Sequence, residues 1–314
     1  MKKISIVVPC YNEKENVIPM GKEICSVLEE KLNKYDYEII FIDNCSTDGT
    51  RELLRQMCAE NIRIKAIFNV RNFGQFNSPY YALMQSTGDC SILMCCDFQD
   101  PVELIPSMVE AWEKGSKIVA MQKTKSEENK LVYFLRSCFY KVLSKFSGIS
   151  VIEHFTGFGL YDRKFIDLLK ELNDPIPFLR GIVAELGFGI KVIPYKQNKR
   201  KAGKTHNNII SLYDAIMLSF TSYTKFGLRG ATFLGFGIAI MSVIIAIIYF
   251  VLKLLYWDRF NAGMAPIVLG MFFLGAVQLV FLGIIGEYII NINIRIKNRP
   301  LVVEEERIGF DEKA

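Results

Sequence analysis

An apolar run that ends in carboxylates marks the first candidate for chemistry in this chain. Residues 92–96 are typical of a buried strand, and Asp97 follows them directly. Asp100 stands before Pro101 and three residues before Glu103, a pattern that predicts a helix capped by Asp100. At the carboxyl end of a strand in an open α/β sheet, such an acid suits a divalent cation that carries a phosphate ester. Taken alone, Asp97 and Asp100 are equally well explained as turn and cap residues, so the flanking sequence has to decide.

More polar residues follow the strands that precede this one. Predicted strands cover residues 4–8, 38–42, 63–68 and 92–96, with helical patterns between them. This alternation predicts a parallel, doubly wound sheet in which the strand ends share one crevice. The polar residues at the strand ends are Tyr11, Asp43, Arg71 and Asp97.

Together these side chains have the chemistry of a nucleotide site. By itself, Asp43 is explained as a residue on the approach to a helix, and Arg71 as a solvated loop cation. Side by side, they offer a carboxylate for a base or ribose and an arginine for a phosphate, while Asp97 offers an acid for a metal on a diphosphate. Other nucleotide motifs are excluded, because no GxGxxG follows a strand, and residues 202–205 lack the earlier glycine of a phosphate loop.

Uncharged stretches near the carboxyl terminus predict a membrane anchor. Of the 314 residues, 230–252 and 260–286 contain no charged side chain. Each stretch exceeds the roughly 20 apolar residues that cross a bilayer, so we expect a pair of transmembrane helices joined by a short external loop. Lysine and arginine are concentrated before the first stretch and after the second, so the positive-inside rule predicts both termini in the cytoplasm.

Composition disfavours disulfides, cysteine or histidine metal sites and nucleic-acid binding. The 8 cysteines contain no CxxC pair, which favours buried thiols in a reducing compartment over disulfides or zinc. With only 2 histidines, a histidine-based metal site is disfavoured. The net charge of +5 is mild and the basic residues crowd next to the membrane, so acidic lipid headgroups are expected partners and nucleic acid is not.

The polar motifs have the order and type of those in a known family. They are Val7-Val8-Pro9-Cys10-Tyr11-Asn12-Glu13, Ile42-Asp43-Asn44-Cys45-Ser46-Thr47-Asp48-Gly49-Thr50, Arg71-Asn72-Phe73-Gly74, Gly88-Asp89 and Asp97-Phe98-Gln99-Asp100-Pro101. They resemble the motifs of family-2 glycosyltransferases, and most closely those of the polyprenyl-phosphate glycosyltransferases, the group of bactoprenol glucosyltransferase and dolichol-phosphate mannose synthase. Residues 178–181, 200–204 and the terminal apolar stretches extend the resemblance over almost the whole chain.

The resemblance implies a fold, a substrate and a cofactor. The fold is that of an A-type glycosyltransferase, a Rossmann-like doubly wound α/β sheet, followed here by an interfacial helix and two transmembrane helices. A nucleotide-sugar donor and Mg²⁺ or Mn²⁺ are expected to bind it. The residues implied for the nucleotide-sugar are Pro9, Tyr11, Glu13, Asp43, Arg71 and Asp97. The resemblance implies that Asp97 and Gln99 hold the metal and the diphosphate, and Asp97 is the expected catalytic residue.

The chain departs from the family pattern in two motifs. Cys95-Cys96-Asp97 stands where the family often has Asp-x-Asp, and residues 156–159 read Thr-Gly-Phe-Gly where it often has Gly-Asp-Phe-Arg. An acid sometimes proposed as the catalytic base is therefore absent. A lipid monophosphate is ionised near neutral pH and can attack the anomeric carbon without a base, so the protein has to align the reactants and stabilise the leaving diphosphate.

Basic residues before the first apolar stretch are candidates for the acceptor. By charge alone, Arg180 is a solvated helix cation, and residues 199–204 form an interfacial anchor. The resemblance adds a role at the acceptor phosphate for Arg180, Arg200, Lys201 and Lys204.

We expect the chain to divide into a cytoplasmic catalytic domain, a juxtamembrane amphipathic helix, the transmembrane pair and a cytoplasmic tail that is flexible from Glu304 onward. Their bounds are residues 1–204, 205–229, 230–290 and 291–314. Glycines in the apolar stretches allow close helix packing, which leaves association into a homo-oligomer open.

The expected function is inverting transfer of one sugar to undecaprenyl phosphate, or another polyprenyl phosphate, at the cytoplasmic face of the inner membrane. UDP-glucose stands ahead of other donors. A processive polysaccharide synthase is disfavoured, because neither of the 2 tryptophans follows an arginine, as that group requires. A catalytically impaired, membrane-bound partner of a glycan pathway is the alternative, motivated by Cys95 and Gly157.

Overall fold

A computed structural model describes residues 1–125, 152–198, 200, 209–223, 226–255 and 264–310. The strands are β1 Lys3–Cys10, β2 Asp36–Asp43, β3 Ile64–Asn69, β4 Cys90–Leu93, β5 Ile118–Lys125, β6 Phe155–Asp162, β7 Ile190–Lys196 and β8 Glu304–Ile308. The helices are α1 Val17–Lys31, α2 Thr50–Glu60, α3 Gly74–Gln85, α4 Ile105–Glu113, α5 Arg163–Leu172, α6 Leu179–Glu185, α7 Ile209–Tyr223, α8 Phe226–Leu255 and α9 Met264–Lys297. A 3₁₀ turn at Val102–Leu104 leads into α4.

The described strands form one sheet in the order β7-β5-β6-β4-β1-β2-β3-β8. Strands β3, β2, β1 and β4 run parallel, as the alternation of strands and helices predicts, whereas β6 and β8 pair antiparallel with their neighbours. The carboxyl ends of β1, β2, β3 and β4 therefore meet at one edge of the sheet.

Helices cover both faces of the sheet because the central strands are apolar on both sides. In β1, Ile4, Ile6 and Val8 belong to one buried cluster, which includes residues of α1, α2 and α4. Val7 belongs to the cluster on the other face, which includes residues of α3, α5 and α6. The predicted doubly wound α/β sheet is confirmed.

Two helices match the predicted transmembrane pair. The segments Thr232–Leu252 in α8 and Gly270–Lys297 in α9 are long and apolar enough to cross a membrane, and neither is buried in the protein. Large apolar side chains such as Phe236, 65% exposed, and Phe272, 76% exposed, point outward from them. Exposed apolar surface of this extent is typical of a helix that contacts lipid.

The prediction of a flexible tail from Glu304 is wrong for its first five residues, because Glu304–Ile308 forms β8. Pairing with β3 satisfies backbone groups that the edge of the sheet would otherwise leave open. Leu301 and Val302, which precede β8, are buried and pack into the second apolar cluster. The tail thus returns to the catalytic sheet after α9.

The prediction that Asp100 caps a helix is also wrong. Its carboxylate accepts hydrogen bonds from the backbone N–H of Cys95 at 3.1 Å and from the Tyr195 hydroxyl at 2.9 Å. Asp100 is therefore occupied in holding the turn after β4 to β7, and α4 begins five residues later, at Ile105.

Candidate active site

Asp97 lies in a tight turn beyond the carboxyl end of β4. Its Oδ1 accepts a hydrogen bond from the backbone N–H of Gln99 at 3.1 Å. Between them, Phe98 has a φ of 62°, a left-handed conformation that a bulky side chain seldom adopts. Strain of this kind persists where the surroundings enforce it, and it is common at functional sites.

Arg200 pairs with Asp97 through two donors. Its Nε and Nη2 atoms both lie 3.0 Å from Asp97 Oδ2. The backbone N–H of Asn198 donates to the carbonyl oxygen of Gln99 at 3.1 Å, so the segment after β7 is tied to the Asp97 turn. That backbone bond brings Arg200, two residues further on, into reach of Asp97.

Glu13 joins the same cluster from the loop after β1. Its Oε1 lies 3.4 Å from Arg200 Nη2, and its Oε2 accepts a hydrogen bond from Asn16 Nδ2 at 2.5 Å. Glu13 and Asp97 are 8% and 5% exposed, so water solvates these carboxylates poorly. The guanidinium between them stabilises their negative charge instead. The structure thus brings together Glu13, Asp97 and Arg200, from three separate segments.

The loops after β1 and β2 are fastened to each other. The backbone N–H of Asn12 donates to Ser46 Oγ at 2.8 Å, and Asn12 Oδ1 accepts from the backbone N–H of Thr47 at 2.9 Å. The backbone N–H of Glu13 donates to Thr50 Oγ1 at 3.0 Å. Pro9, in β1, and Tyr11, in this loop, are half-buried beside these contacts.

Asp43 ends β2 and has no exposed surface. Its two oxygens accept from the backbone N–H of Ser46 at 3.3 and 3.0 Å, and Oδ2 lies 3.4 Å from Arg51 Nε. Burial raises the pKa of the Asp43 carboxyl, and the contacts with Ser46 and Arg51 oppose that rise. A ligand reaches this carboxylate only if neighbouring side chains shift.

Arg71 lies apart from this cluster, in the exposed loop after β3. Its guanidinium stacks on Phe73, 4.1 Å from the ring centroid, and Nη1 donates to the carbonyl oxygen of Asn72 at 3.3 Å. Asn44 anchors the loop, because its Oδ1 accepts from the backbone N–H of Phe73 at 2.9 Å and its Nδ2 donates to Asn72 Oδ1 at 2.8 Å.

Arg180 lies in the first turn of α6, directly after Leu179, whose side chain lies beside Gly157 of β6. Its charge lowers the pKa of the Tyr161 phenol, although burial raises that pKa by more. Tyr161 donates to the carbonyl oxygen of Gly157 at 2.7 Å, and Gly157 has a φ of +99° that glycine tolerates.

Helix α7 packs closely on α6 at Gly181, because a Cβ there would lie 2.3 Å from the ring of Tyr223. Of the other residues predicted at the acceptor phosphate, Lys201 and Lys204 lie outside the described residues.

Comparison with known proteins identifies the family. Residues 5–170 match the family described as Glycosyl transferase family 2. The chain belongs to this family. The resemblance inferred from the motifs is thereby confirmed.

Relatives of this glycosyltransferase match it from end to end. The SfII prophage-derived bactoprenol glucosyl transferase of Shigella flexneri is 31% identical over 299 residues, covering 95% of this chain and 96% of that protein. The prophage bactoprenol glucosyl transferase homolog of Escherichia coli K12 is 30% identical over 299 residues, covering 95% and 97%. The structure of glucosyl-3-phosphoglycerate synthase from Mycobacterium tuberculosis matches with a TM-score of 0.50 and 17% identity, over 71% of this chain and 80% of that one, which shows a shared fold.

Asp97 and Gln99 of the glycosyltransferase suit a divalent cation that is shared with a substrate. In the part of the chain that the structure describes, no group of three or more His, Cys, Asp or Glu side chains could hold a metal. A carboxylate and an amide carbonyl are hard oxygen donors, and Mg²⁺ is commonly held by one or two carboxylates together with substrate phosphates. The Asp97 carboxylate and the Gln99 amide oxygen therefore fit a cation that binds together with a nucleoside diphosphate.

Several residues that shape the glycosyltransferase site were not identified from the sequence. Arg200 was assigned to the acceptor alone, and its pairing with Asp97 was not foreseen. Asn16 and Arg51 were not singled out either. Asn16 donates a hydrogen bond to Glu13, and Arg51 forms an ion pair with Asp43. Tyr195 holds Asp100 from β7, and no local pattern reports a contact between residues so far apart along the chain.

Proposed function

We propose that this glycosyltransferase transfers one hexose from a nucleotide-sugar, with UDP-glucose the first candidate, to undecaprenyl phosphate or another polyprenyl phosphate. The observation that carries the proposal is the cluster of Asp97, Arg200 and Glu13 at the carboxyl edge of the sheet, with Arg180 on the neighbouring α6. Carboxylates for a metal-bound diphosphate and arginines for a second phosphate suit a reaction between two anions. Relatives that are 30–31% identical over at least 95% of this chain carry the name bactoprenol glucosyl transferase, which supports the lipid acceptor and the glucosyl donor.

The donor is proposed to lie along the edge formed by the loops after β1, β2 and β4. Its nucleoside would contact Pro9, Tyr11, Glu13 and Asp43, and Arg71, from the loop after β3, would reach a phosphate of the donor. Its diphosphate would lie at Asp97 and Gln99. A divalent cation, Mg²⁺ or Mn²⁺, held there would neutralise charge that develops on the leaving diphosphate.

The acceptor phosphate is proposed to approach from the side of α6 and α7. Arg180 and Arg200, with Lys201 and Lys204, would hold it in line with the anomeric carbon. A phosphate oxygen forms the new bond to that carbon while the bond to the diphosphate oxygen breaks, and the nucleoside diphosphate leaves. A single displacement of this kind inverts the anomeric configuration, and the ionised phosphate needs no general base.

The reaction is proposed to take place at the cytoplasmic face of the inner membrane. Helices α8 and α9 would span the bilayer with both termini in the cytoplasm, because basic residues flank the pair on that side. Helix α7 would lie at the interface, where a polyprenyl phosphate presents its headgroup. Association into a homo-oligomer stays a prediction.

The test is transfer of label into lipid by the full chain in detergent. The protein is incubated with undecaprenyl phosphate, Mg²⁺ or Mn²⁺ and radiolabelled nucleotide-sugars, and the organic phase is counted. We expect labelled lipid from UDP-glucose, and a loss of at least about 100-fold in Asp97→Asn, because an electrostatic contact to the leaving group is removed. An unchanged circular dichroism spectrum and melting temperature are the control for folding.

Labelled lipid from a different nucleotide-sugar would overturn the choice of glucose and retain the reaction. If every donor stays intact, the proposed function is wrong, whereas transfer by Asp97→Asn at the wild-type rate would overturn the role of Asp97 and retain the reaction. The first of these results would favour a membrane-bound partner of a glycan pathway without catalysis of its own.

A further inference from the structure

The strand that follows the membrane helices carries two adjacent glutamates toward the same helix. In the pairing of β8 with β3, Glu304 faces Asn69 and Glu306 faces Phe68, so Glu305 is the extra residue of a bulge. Consecutive residues of a regular strand point to opposite faces of the sheet, and a bulge redirects one of them. The bulge thus allows both Glu305 and Glu306 to reach α2.

The two glutamates hold different arginines of α2. Glu305 Oε2 lies 2.7 Å from Arg51 Nη2, and Glu306 Oε2 lies 2.7 Å from Arg55 Nη2. Arg55 also pairs with Glu52, at 3.7 Å, on its own helix. The two contacts anchor β8 to α2 in a similar way. They differ in the second carboxylate that each arginine contacts.

Arg51 connects β8 to the buried carboxylate of Asp43. Its side chain is only 16% exposed, and its Nε lies 3.4 Å from Asp43 Oδ2 while its Nη2 faces Glu305. The guanidinium carbon also lies 5.2 Å from the ring centroid of Phe68. Arg51 is in the first turn of α2, where the helix dipole disfavours a cation, so these partners are what hold it there.

The charge of Arg51 matters to Asp43 because nothing else in the turn is cationic. Ser46 donates hydrogen bonds to Asp43 but brings no charge. Burial favours the protonated form of Asp43 and raises its pKa, while the hydrogen bonds from Ser46 and the charge of Arg51 both favour the ionised form. Protonation of Asp43 would remove its negative charge and turn one of its two acceptor oxygens into a donor, which weakens its hydrogen bond to a nucleobase N–H.

We propose that Arg51 and Glu305 are positioning residues for the nucleoside subsite, through which β8 sets the affinity for the nucleotide. Glu305 fixes the guanidinium of Arg51, and the charge of Arg51 acts with the hydrogen bonds from Ser46 to keep Asp43 ionised as an acceptor. The inference rests on the proposed function, in which Asp43 receives the nucleoside. It adds the requirement that β8, which follows the membrane helices, be paired with β3 for the donor to bind tightly.

The test compares Glu305→Gln with the matched control Glu306→Gln in the full chain in detergent. Binding of UDP in the presence of Mg²⁺ is measured by calorimetry. We expect Glu305→Gln to weaken UDP binding about threefold to fivefold, as suits the loss of one partly exposed ion pair, and Glu306→Gln to change it less than about twofold. Arg51→Gln should weaken UDP binding on the order of tenfold or more, because it leaves a buried charge without its partner, and Arg51→Lys should recover part of the loss.

Steady-state kinetics distinguish positioning from a general loss of structure. In Glu305→Gln the KM for the nucleotide-sugar should rise while kcat and the KM for undecaprenyl phosphate stay at wild-type values, and the melting temperature should match that of Glu306→Gln. Equal UDP affinities in the two variants would overturn the inference, because β8 would then act as an anchor alone. If the wild-type chain binds neither UDP nor another nucleoside diphosphate, the proposed function itself fails, a result seen before any variant is compared.

Discussion

At the scale of single residues, Arg200 links the two halves of the proposed site. It lies between Asp97 from the loop after β4 and Glu13 from the loop after β1. Asp97 Oδ2 accepts from both Nε and Nη2 of Arg200. A ligand that binds this oxygen therefore displaces the guanidinium. Once displaced, Arg200 is able to meet a second phosphate, which is the acceptor role expected for it.

Substitution of Arg200 should therefore affect the two substrates in opposite directions. In Arg200→Gln we expect UDP binding with Mn²⁺ to be as tight as in the wild type or tighter, because Asp97 loses a competing partner. The KM for undecaprenyl phosphate should rise on the order of tenfold, since a charge-assisted contact to phosphate is lost. Calorimetry with UDP and steady-state kinetics with the lipid measure the two effects separately.

Arg200→Lys is the matched control, because it keeps the charge but cannot donate through a planar fork. It should give an intermediate KM for the lipid. Weaker UDP binding together with an unchanged lipid KM in Arg200→Gln would contradict the assignment of Arg200 to the acceptor.

At the scale of secondary-structure elements, the sheet is tied together at the edge opposite the site. Glu38, in β2, is 1% exposed and pairs with Lys3 of β1 at 3.0 Å and with Lys65 of β3 at 2.9 Å. It also accepts from Ser5 Oγ at 2.6 Å and from the backbone N–H of Thr87, just before β4, at 2.7 Å. One carboxylate thus joins four neighbouring strands or their approaches.

Glu38→Gln should destabilise the catalytic domain in a pH-dependent way. Burial alone would raise the pKa of Glu38, but hydrogen bonds from Ser5, Lys65 and Thr87 outweigh it and lower the pKa to about 2. Ionisation therefore stabilises the fold above the unfolded pKa of about 4.5, and this contribution is lost as the pH falls toward 2. At pH 7 we expect Glu38→Gln to lower the free energy of unfolding by about 3 kcal/mol.

Chemical unfolding in detergent, followed by tryptophan fluorescence, measures this effect at pH 7 and at stepwise lower pH. The difference between the variant and the wild type should shrink between about pH 4.5 and pH 2. Glu110→Gln is the control, because Glu110 pairs with Lys114 on the surface of α4 with both side chains more than half exposed. A difference that stays constant with pH would show that the ionisation of Glu38 is not the cause.

At the scale of the whole molecule, α7 and α9 connect the apolar helices to the catalytic sheet. Tyr223 of α7 packs on Phe178, with ring centroids 5.9 Å apart, next to Arg180. Arg295, near the end of α9, pairs with Asp174 at 2.8 Å, and Asn291 of α9 donates to Thr221 of α7. These contacts join the segment from Asp174 to Phe178, which leads into α6, to the proposed membrane anchor.

The proposed orientation in the membrane can be tested with thiol labelling. Cys95 is exposed, although its dense surroundings and the charges of Asp100 and Asp97 raise the pKa of its thiol. With long labelling times in alkaline buffer, a maleimide that does not cross membranes should therefore label it in inside-out vesicles and not in intact spheroplasts. A cysteine introduced as Trp257→Cys, between the two apolar stretches, should behave in the opposite way. Labelling of Cys95 in intact spheroplasts, or of both sites from one side, would contradict the proposed topology.

Local sequence patterns determined most of the architecture of this protein. The first four strands were predicted within a few residues, because each is an apolar run bounded by turn residues and followed by a helical pattern. The two apolar helices were predicted because a long uncharged stretch has few other stable environments. The position of Asp97 just beyond a buried strand was predicted from the apolar run before it, whereas its functional role rests on the polar residues at the neighbouring strand ends and stays a prediction.

Contacts between segments that are distant in the sequence depend on how the chain folds. Glu304–Ile308 is short, acidic and has no alternation that predicts a strand, and it becomes β8 because β3 offers an open edge. Asp100 has every local feature of a helix cap, yet Tyr195 and the backbone of Cys95 take its oxygens. The pairing of Arg200 with Asp97, and of Arg51 with both Asp43 and Glu305, depends likewise on chain segments that approach only in the folded sheet. Propensity and hydrophobic period act over one element, whereas the partner of a charged side chain depends on which elements pack beside it.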